Sequence, residues 1–199
     1  MTSARYQDAP VSWPTDPRGR MIGSMTAVAA ERGYAATHVR DVIARAGISS
    51  RTFYAYFESR EACFFAAYDA IVGDLVYLLL GEDSDQPSQA MALTLQRLLE
   101  HFARWPAHAQ MLFGEVLSAG PKGAERHEST MAMLAERLAS CETWQPGSCE
   151  SLERVEVAQA LIGAMVRMVQ MRLNAGEAAA LPALFPSMLA LTTRVALAA

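Results

Sequence analysis

Thr37 to Arg60, THVRDVIARAGISSRTFYAYFESR, is the stretch that decides the reading of this chain. It predicts a short helix, a glycine turn at Gly47 and a second short helix. Val39, Val42, Ile43, Ala46, Phe53 and Phe57 fall at the inward positions, and Ile48 plugs the core beneath the turn. Thr37 and Ser49 stand where helix caps belong. The outer face of the second helix carries Ser50, Arg51, Thr52, Tyr54 and Tyr56. A folded core has little use for hydroxyls, a guanidinium and phenols side by side. A DNA groove does, because such groups reach phosphate oxygens and base edges.

Upstream, Asp16-Pro17 gives an N-cap followed by proline at the first helical position, and Gly33 ends that helix after Arg32. Met21, Ile22, Met25, Val28 and Ala29 recur at helical spacing and pack under the motif. Downstream, Ser59 caps a long helix from Arg60 to Leu80, with Phe64, Tyr68, Ile71, Val72, Leu75 and Leu79 on one stripe. After the GEDSDQP loop, further helices are expected over residues 88–104, 107–118, 123–140, 150–174 and 181–197, with Pro and Gly at the breaks. The chain therefore reads as all-α: a flexible tail over 1–15, a helix-turn-helix head of three helices over 16–61, and a helical body over 62–199.

Composition agrees with helix. Hydrophobic residues make up 52 % of 199 residues, and alanine, leucine and methionine dominate over β-branched types. The net charge of −4 argues against coating nucleic acid along the whole surface. The distribution is uneven: Met1 to Glu61 balances to +2 and the remainder to −6. A mildly basic head on an acidic body suits a local DNA contact. Cys63, Cys141 and Cys149 form no disulfide framework; Cys141 and Cys149 flank one loop and could form a redox pair, with small apolar fillers the favoured reading. Met1 to Pro17 is polar and proline-punctuated, unlike a secretory leader, and the apolar stretch 178–193 is broken by Pro182 and Pro186. No membrane partner and a cytoplasmic location are expected. There is no phosphate-binding glycine loop, nucleophile elbow or HExxH, so the chain does not read as an enzyme.

The longer string GYAATHVRDVIARAGISSRTFYAYFESREACFFAAYD, Gly33 to Asp69, resembles the DNA-binding domain of the TetR family of bacterial transcriptional regulators. Gly-Tyr, Thr, Val-Arg-Asp-Val, Ala-Gly-Ile-Ser, Tyr-x-x-Phe and Arg-Glu occur in the family's order, and the likeness runs from about Pro17 to Asp69. Ala29-Ala30, His38, Ile43 and Arg60 depart from the commoner residues, which weakens transfer of any operator sequence. Arg51 is the best candidate for base readout, since a guanidinium can bond guanine twice. The resemblance implies Arg40 as a second reader and phosphate contacts from Tyr54 and Tyr56. Ser50 and Thr52 suit bases or phosphates, Thr37 and Ser49 would bring helix N-termini to phosphate, and Arg60 would add a phosphate contact by charge. Competing readings remain: a solvated surface arginine at Arg51, a core-packed ring at Tyr56, plain caps at Thr37 and Ser49.

For the body, the resemblance implies ligand binding and dimerisation. The 150–174 helix carries more apolar surface than one side can bury. Val155, Ala158, Leu161, Ile162, Met165, Met168 and Val169, with Leu184 and Leu191, are the expected homodimer contact. A central buried helix in a monomer is the alternative. His101, Phe102, Trp105, Met111, Leu112, Glu115, Val116, His127 and Met131 are the expected lining of a pocket for an apolar or aromatic effector, with plain core as the alternative. The spacing of the histidines and Glu115 offers no tight metal-ligand pair, so no metal or cofactor is expected. These readings converge on a ligand-responsive dimeric regulator of double-stranded operator DNA, a repressor more than an activator. A helical small-molecule binding protein without specific DNA binding is the reading from another class.

Overall fold

The computed structural model describes residue 13 and residues 15–80, 87–141 and 153–197. Among the described residues there are nine α-helices and no strand: α1 Pro17–Arg32, α2 Val39–Ala46, α3 Ser50–Tyr56, α4 Arg60–Leu80, α5 Pro87–Arg104, α6 Pro106–Phe113, α7 Pro121–Ala139, α8 Arg154–Asn174 and α9 Phe185–Leu197. Two 3-10 segments, Glu115–Ala119 and Ala178–Leu184, join α6 to α7 and precede α9. The loop at 81–86 and Cys149 lie outside the described residues, and with Cys149 the expected cysteine pair.

Local chemistry sets the head. The Asp16 carboxylate accepts from the Gly19 N–H at 2.8 Å, which starts α1. Gly47 turns α2 into α3 at φ 63° and ψ 43°, the left-handed region where a β-carbon is costly. The Ser59 hydroxyl accepts from the Ala62 N–H at 3.0 Å and starts α4. The four helices then close on one apolar centre: Met21, Met25 and Ala29 of α1, Val42 of α2, Phe53 of α3 and Phe64 of α4 are all fully buried. The same cluster continues without a break through Tyr68, Ile71 and Leu75 to Met111, Leu112, Leu181 and Met188 in the body. Head and body thus share a core, and α4 runs through both. By length and apolarity alone Arg60–Leu79 would pass as a membrane-crossing helix. Here its apolar side chains pack against α1, α5 and α6.

Several expectations change. The helix expected over 107–118 breaks at Gly114, after which the chain tightens into a 3-10 turn. The helix expected over 181–197 is likewise 3-10 up to Leu184 and α-helical only from Phe185, because Pro182 and Pro186 cannot donate to an α-ladder. Trp13, expected in a loose tail, is docked: its ring lies where a β-carbon on Gly23 would come within 2.5 Å, and it meets the His108 ring at 5.7 Å between centroids.

The expected pocket residues are mostly closed core. Phe102, Met111, Leu112 and Val116 are buried, and Met131 packs half-buried on the same cluster. The polar members turn to other work. Glu115 reaches the head, where it accepts from the Tyr34 N–H at 2.6 Å. The His127 Nδ1 lies 3.1 Å from the Leu112 carbonyl oxygen. His101 Nε2 and His108 Nδ1 stand 3.1 Å apart, and Trp105 stacks on the His108 ring. Two clefts open at the surface, of about 650 and 460 Å³. Of the expected lining only Trp105 borders either of them, in the smaller cleft beside α1 and His108. Apolar spacing marks burial without saying whether the space is filled by neighbours or left open.

Burial also fixes proton affinities. It pushes the Cys63 thiol up to about 12, against the opposing charge of Arg18, so this cysteine is an unreactive filler. Burial, with the neighbouring His101 second, holds His108 down to about 4, and burial lowers His101 as well. The folded pair therefore binds protons less readily than the unfolded chain. Its contribution is fully present above pH 6.5 and lost as pH falls towards 4. Urea titrations across this window should show the wild type losing on the order of 2 kcal/mol more than a His108→Asn variant; parallel losses would refute the assignment. A second expectation concerns Gly123, whose missing β-carbon would lie 2.0 Å from the Val116 carbonyl oxygen. Gly123→Ala should force α7 away from the 3-10 turn and lower stability by about 1–3 kcal/mol, read as a lower urea midpoint with an unchanged slope.

Candidate nucleic-acid interface

α3 has seven residues, too few to persist as an isolated helix. Two devices hold it. The Ser49 hydroxyl accepts from the Thr52 N–H at 3.0 Å and lies 2.8 Å from the Thr52 hydroxyl, closing the N-terminus. Phe53, fully buried, pins the helix to the core and meets Tyr54 edge-on at 5.3 Å and Phe57 at 5.9 Å between ring centroids. With Phe53 inward, helical spacing puts Arg51 on the opposite side and Tyr54 on the flank, while Ser50 and Tyr56, three residues either way from Phe53, are exposed at the two ends of the helix. Tyr54 is 58 % exposed and Tyr56 50 %. Exposure on this scale removes the reading of Tyr56 as a core packer. Arg40 on α2 is exposed as well. Thr52 is half-buried, its hydroxyl engaged with the Ser49 cap.

Two expected contacts are corrected. Thr37 is fully buried and its hydroxyl donates to the Gly33 carbonyl at 2.8 Å, so it faces no phosphate. The N-cap of α2 is His38, whose N–H donates to the Asp41 carboxylate at 3.0 Å. A threonine before the helix looked like a cap in sequence, but the chain needed it one residue earlier to close the α1–α2 loop. Arg60 points inward too. It donates to the Thr37 carbonyl at 2.7 Å and covers the Tyr34 ring at 4.3 Å. Its charge is engaged in holding that loop.

The remaining charges sort themselves by partner. Arg32 pairs with Asp41 at 3.0 Å and Arg45 with Glu31 at 2.7 Å, which ties α1 to α2. Arg20, Arg40 and Arg51 form no ion pair among the described residues. Unpaired guanidiniums beside exposed hydroxyls and phenols can bind phosphates and read base edges without first breaking an internal contact.

The expected dimer residues divide. Ala158 and Leu161 pack on Ala135 of α7, and Val169 and Leu184 lie in the main core, so these four are committed within one chain. Their burial follows from α7 and the 178–184 segment covering that side of α8. Ile162, Met165 and Met168 are half-buried against the same clusters. Val155 and Leu191 are 36 % and 37 % exposed. The opposite face of α8 is open: Ala160, Gly163, Ala164, Arg167 and Met171 are exposed, and a β-carbon added at Gly163 would touch nothing within 4 Å. Sequence reasoning missed this face because alanine and glycine carry little hydrophobic signal.

With this geometry in hand, comparison with known proteins is informative. Residues 26–67 match the family model of the bacterial regulatory proteins of the tetR family. No curated protein matches the chain in sequence. Solved structures do match in fold. The fatty acid degradation regulator FadR from Bacillus halodurans superposes with a TM-score of 0.74 at 18 % identity, over 89 % of this chain and 94 % of its own. FadR from Bacillus subtilis, solved in complex with stearoyl-CoA, gives 0.71 at 19 % identity, over 87 % and 96 %. A transcriptional regulator from Rhodococcus sp. Rha1 gives 0.72 at 22 % identity, over 90 % and 95 %. Residues 26–67 carry the TetR-family sequence, and about nine-tenths of the chain shares the fold of these regulators.

Proposed function

We propose that this chain, a TetR-family head on a TetR-like helical body, is a transcriptional regulator that binds a near-palindromic operator as a homodimer and represses transcription until a small molecule releases it. The observation that carries the reading is the outer face of α3. Arg51, Ser50, Tyr54 and Tyr56 stand exposed together, and Arg51 and Arg40 are free of ion pairs among the described residues. One such head touches too few base pairs to select a site. Two heads related by two-fold symmetry, about 34 Å apart, read successive major grooves. The open α8 face at Ala160, Gly163 and Ala164 supports pairing, because small residues let two helices approach closely. It replaces the inward face of α8 as the proposed contact. The effector is proposed to act from the body through α4, which spans both units. The proposed reading includes no catalysis and a cytoplasmic location, where the chain would meet DNA.

Operators selected from genomic fragments should bind with a steep salt dependence, since phosphate contacts release counterions. Arg51→Ala should cost about 1–3 kcal/mol of affinity and relax selectivity at one base pair, while far-UV circular dichroism stays unchanged. Retained selectivity would remove Arg51 from base readout. Gly163→Arg should turn the dimer into a monomer in sedimentation and weaken operator binding by at least about tenfold; a variant that stays dimeric would move the interface elsewhere.

A further inference from the structure

Besides α4 and the packing of α1 on α6, the head meets the body at the turn from Leu112 to Val116. This turn breaks the path between α6 and α7, and three polar contacts converge on it from different elements. The Gln170 side-chain amide of α8 donates to the Phe113 carbonyl at 2.6 Å. His127 of α7 lies within 3.1 Å of the Leu112 carbonyl oxygen through Nδ1. Glu115, the first residue after the break, accepts from the Tyr34 N–H in the α1–α2 loop at 2.6 Å, across 81 positions of sequence. Val116 is fully buried and abuts Gly123 of α7, so the turn has little room to shift without moving its neighbours.

Tyr34 is gripped on its other sides as well. Its ring packs on Phe64 of α4 at 4.4 Å between centroids, and Arg60 covers that ring and donates to the Tyr34 carbonyl at 3.4 Å and the Thr37 carbonyl at 2.7 Å. The loop it belongs to leads directly into α2, and α2 sets α3. Of the contacts that fix this loop, Arg60 and Phe64 belong to α4, and Glu115 comes from a turn tied to α7 and α8. A carboxylate accepting from an otherwise unpaired, nearly buried N–H is a strong and directional bond.

We infer that Glu115 is a positioning residue for the reading head: held on a turn that α7 and α8 fix through His127 and Gln170, it sets the α1–α2 loop and so the presentation of α2 and α3, giving the body a polar route to the head in addition to the apolar packing of α4 and α1. The inference rests on the DNA-binding reading above. A spatial chain of contacts is not by itself coupling, so the test is a double-mutant cycle.

Wild type, Glu115→Ala, Glu115→Gln, Gln170→Ala and the Glu115→Ala/Gln170→Ala double variant are compared on an operator fragment selected with the wild type. Fluorescence anisotropy gives affinity, thermal unfolding gives stability, and hydrogen exchange reports on residues 33–41. Glu115→Ala should bind at least about tenfold more weakly, tolerate a wider range of half-site spacings, and lose protection over 33–41, with an unfolding midpoint within a few degrees of wild type. Glu115→Gln keeps an acceptor oxygen and should recover most of the affinity. Gln170→Ala should weaken binding alone, and the double variant should lose little beyond the larger single effect. Wild-type affinity and spacing preference in Glu115→Ala would overturn the inference, and so would losses that simply add or that track the unfolding midpoint. If the wild type selects no operator, the DNA-binding reading fails by itself. In that case the exchange measurement still decides whether Glu115 positions the α1–α2 loop, because unchanged protection over 33–41 in Glu115→Ala refutes it.

Discussion

Phe53 is the contact on which the rest of this molecule depends. A seven-residue helix has no independent stability, so α3 exists only while something holds it. The Ser49 cap supplies about 1 kcal/mol, and full burial of the Phe53 ring supplies two or three times that. Because Phe53 must point inward, Arg51 must point outward and Tyr54 lies on the flank. Tyr56 falls nearer the Phe53 side and is exposed because α3 ends there.

That ring is part of a core continuous from Met21 to Met188. A head of three short helices buries too little surface to be rigid alone. Here it borrows the N-terminal half of α4, and α4 in turn is packed by α5 and α6 and bonded to α7, where the Tyr68 hydroxyl meets Thr130 at 2.8 Å. Small shifts in the body therefore meet a packed interface and not a loose linker. Packed interfaces move between discrete arrangements, which is the property a two-state regulator needs.

Arginine shows how far type and position alone can mislead. The head contains Arg32, Arg40, Arg45, Arg51 and Arg60, and in sequence Arg40, Arg51 and Arg60 all read as DNA contacts. Folding pairs Arg32 and Arg45 with carboxylates of neighbouring helices and turns Arg60 into a clamp over Tyr34. Arg40 and Arg51 are left free for a partner. Glu115 makes the same point from the body: punctuation in an apolar stretch suggested a pocket acceptor, and the fold gave it to a backbone N–H of the head.

The sequence by itself determined the helical class, the three helices of the head and the long helix after them, the Ser49 and Ser59 caps, the Gly47 turn and the inward placement of Phe53 and Phe57. These follow from local propensity and from a 3.6-residue repeat, which act over neighbouring positions and can be read from them. Tertiary structure alone decided that Thr37 is buried, that Arg60 faces inward, that the middle helices fill their own centre, and that the small-residue face of α8 is the open one. Each of these depends on which distant segment arrives at a given side, and a linear pattern of apolar and polar residues carries the fact of burial without the identity of the neighbour.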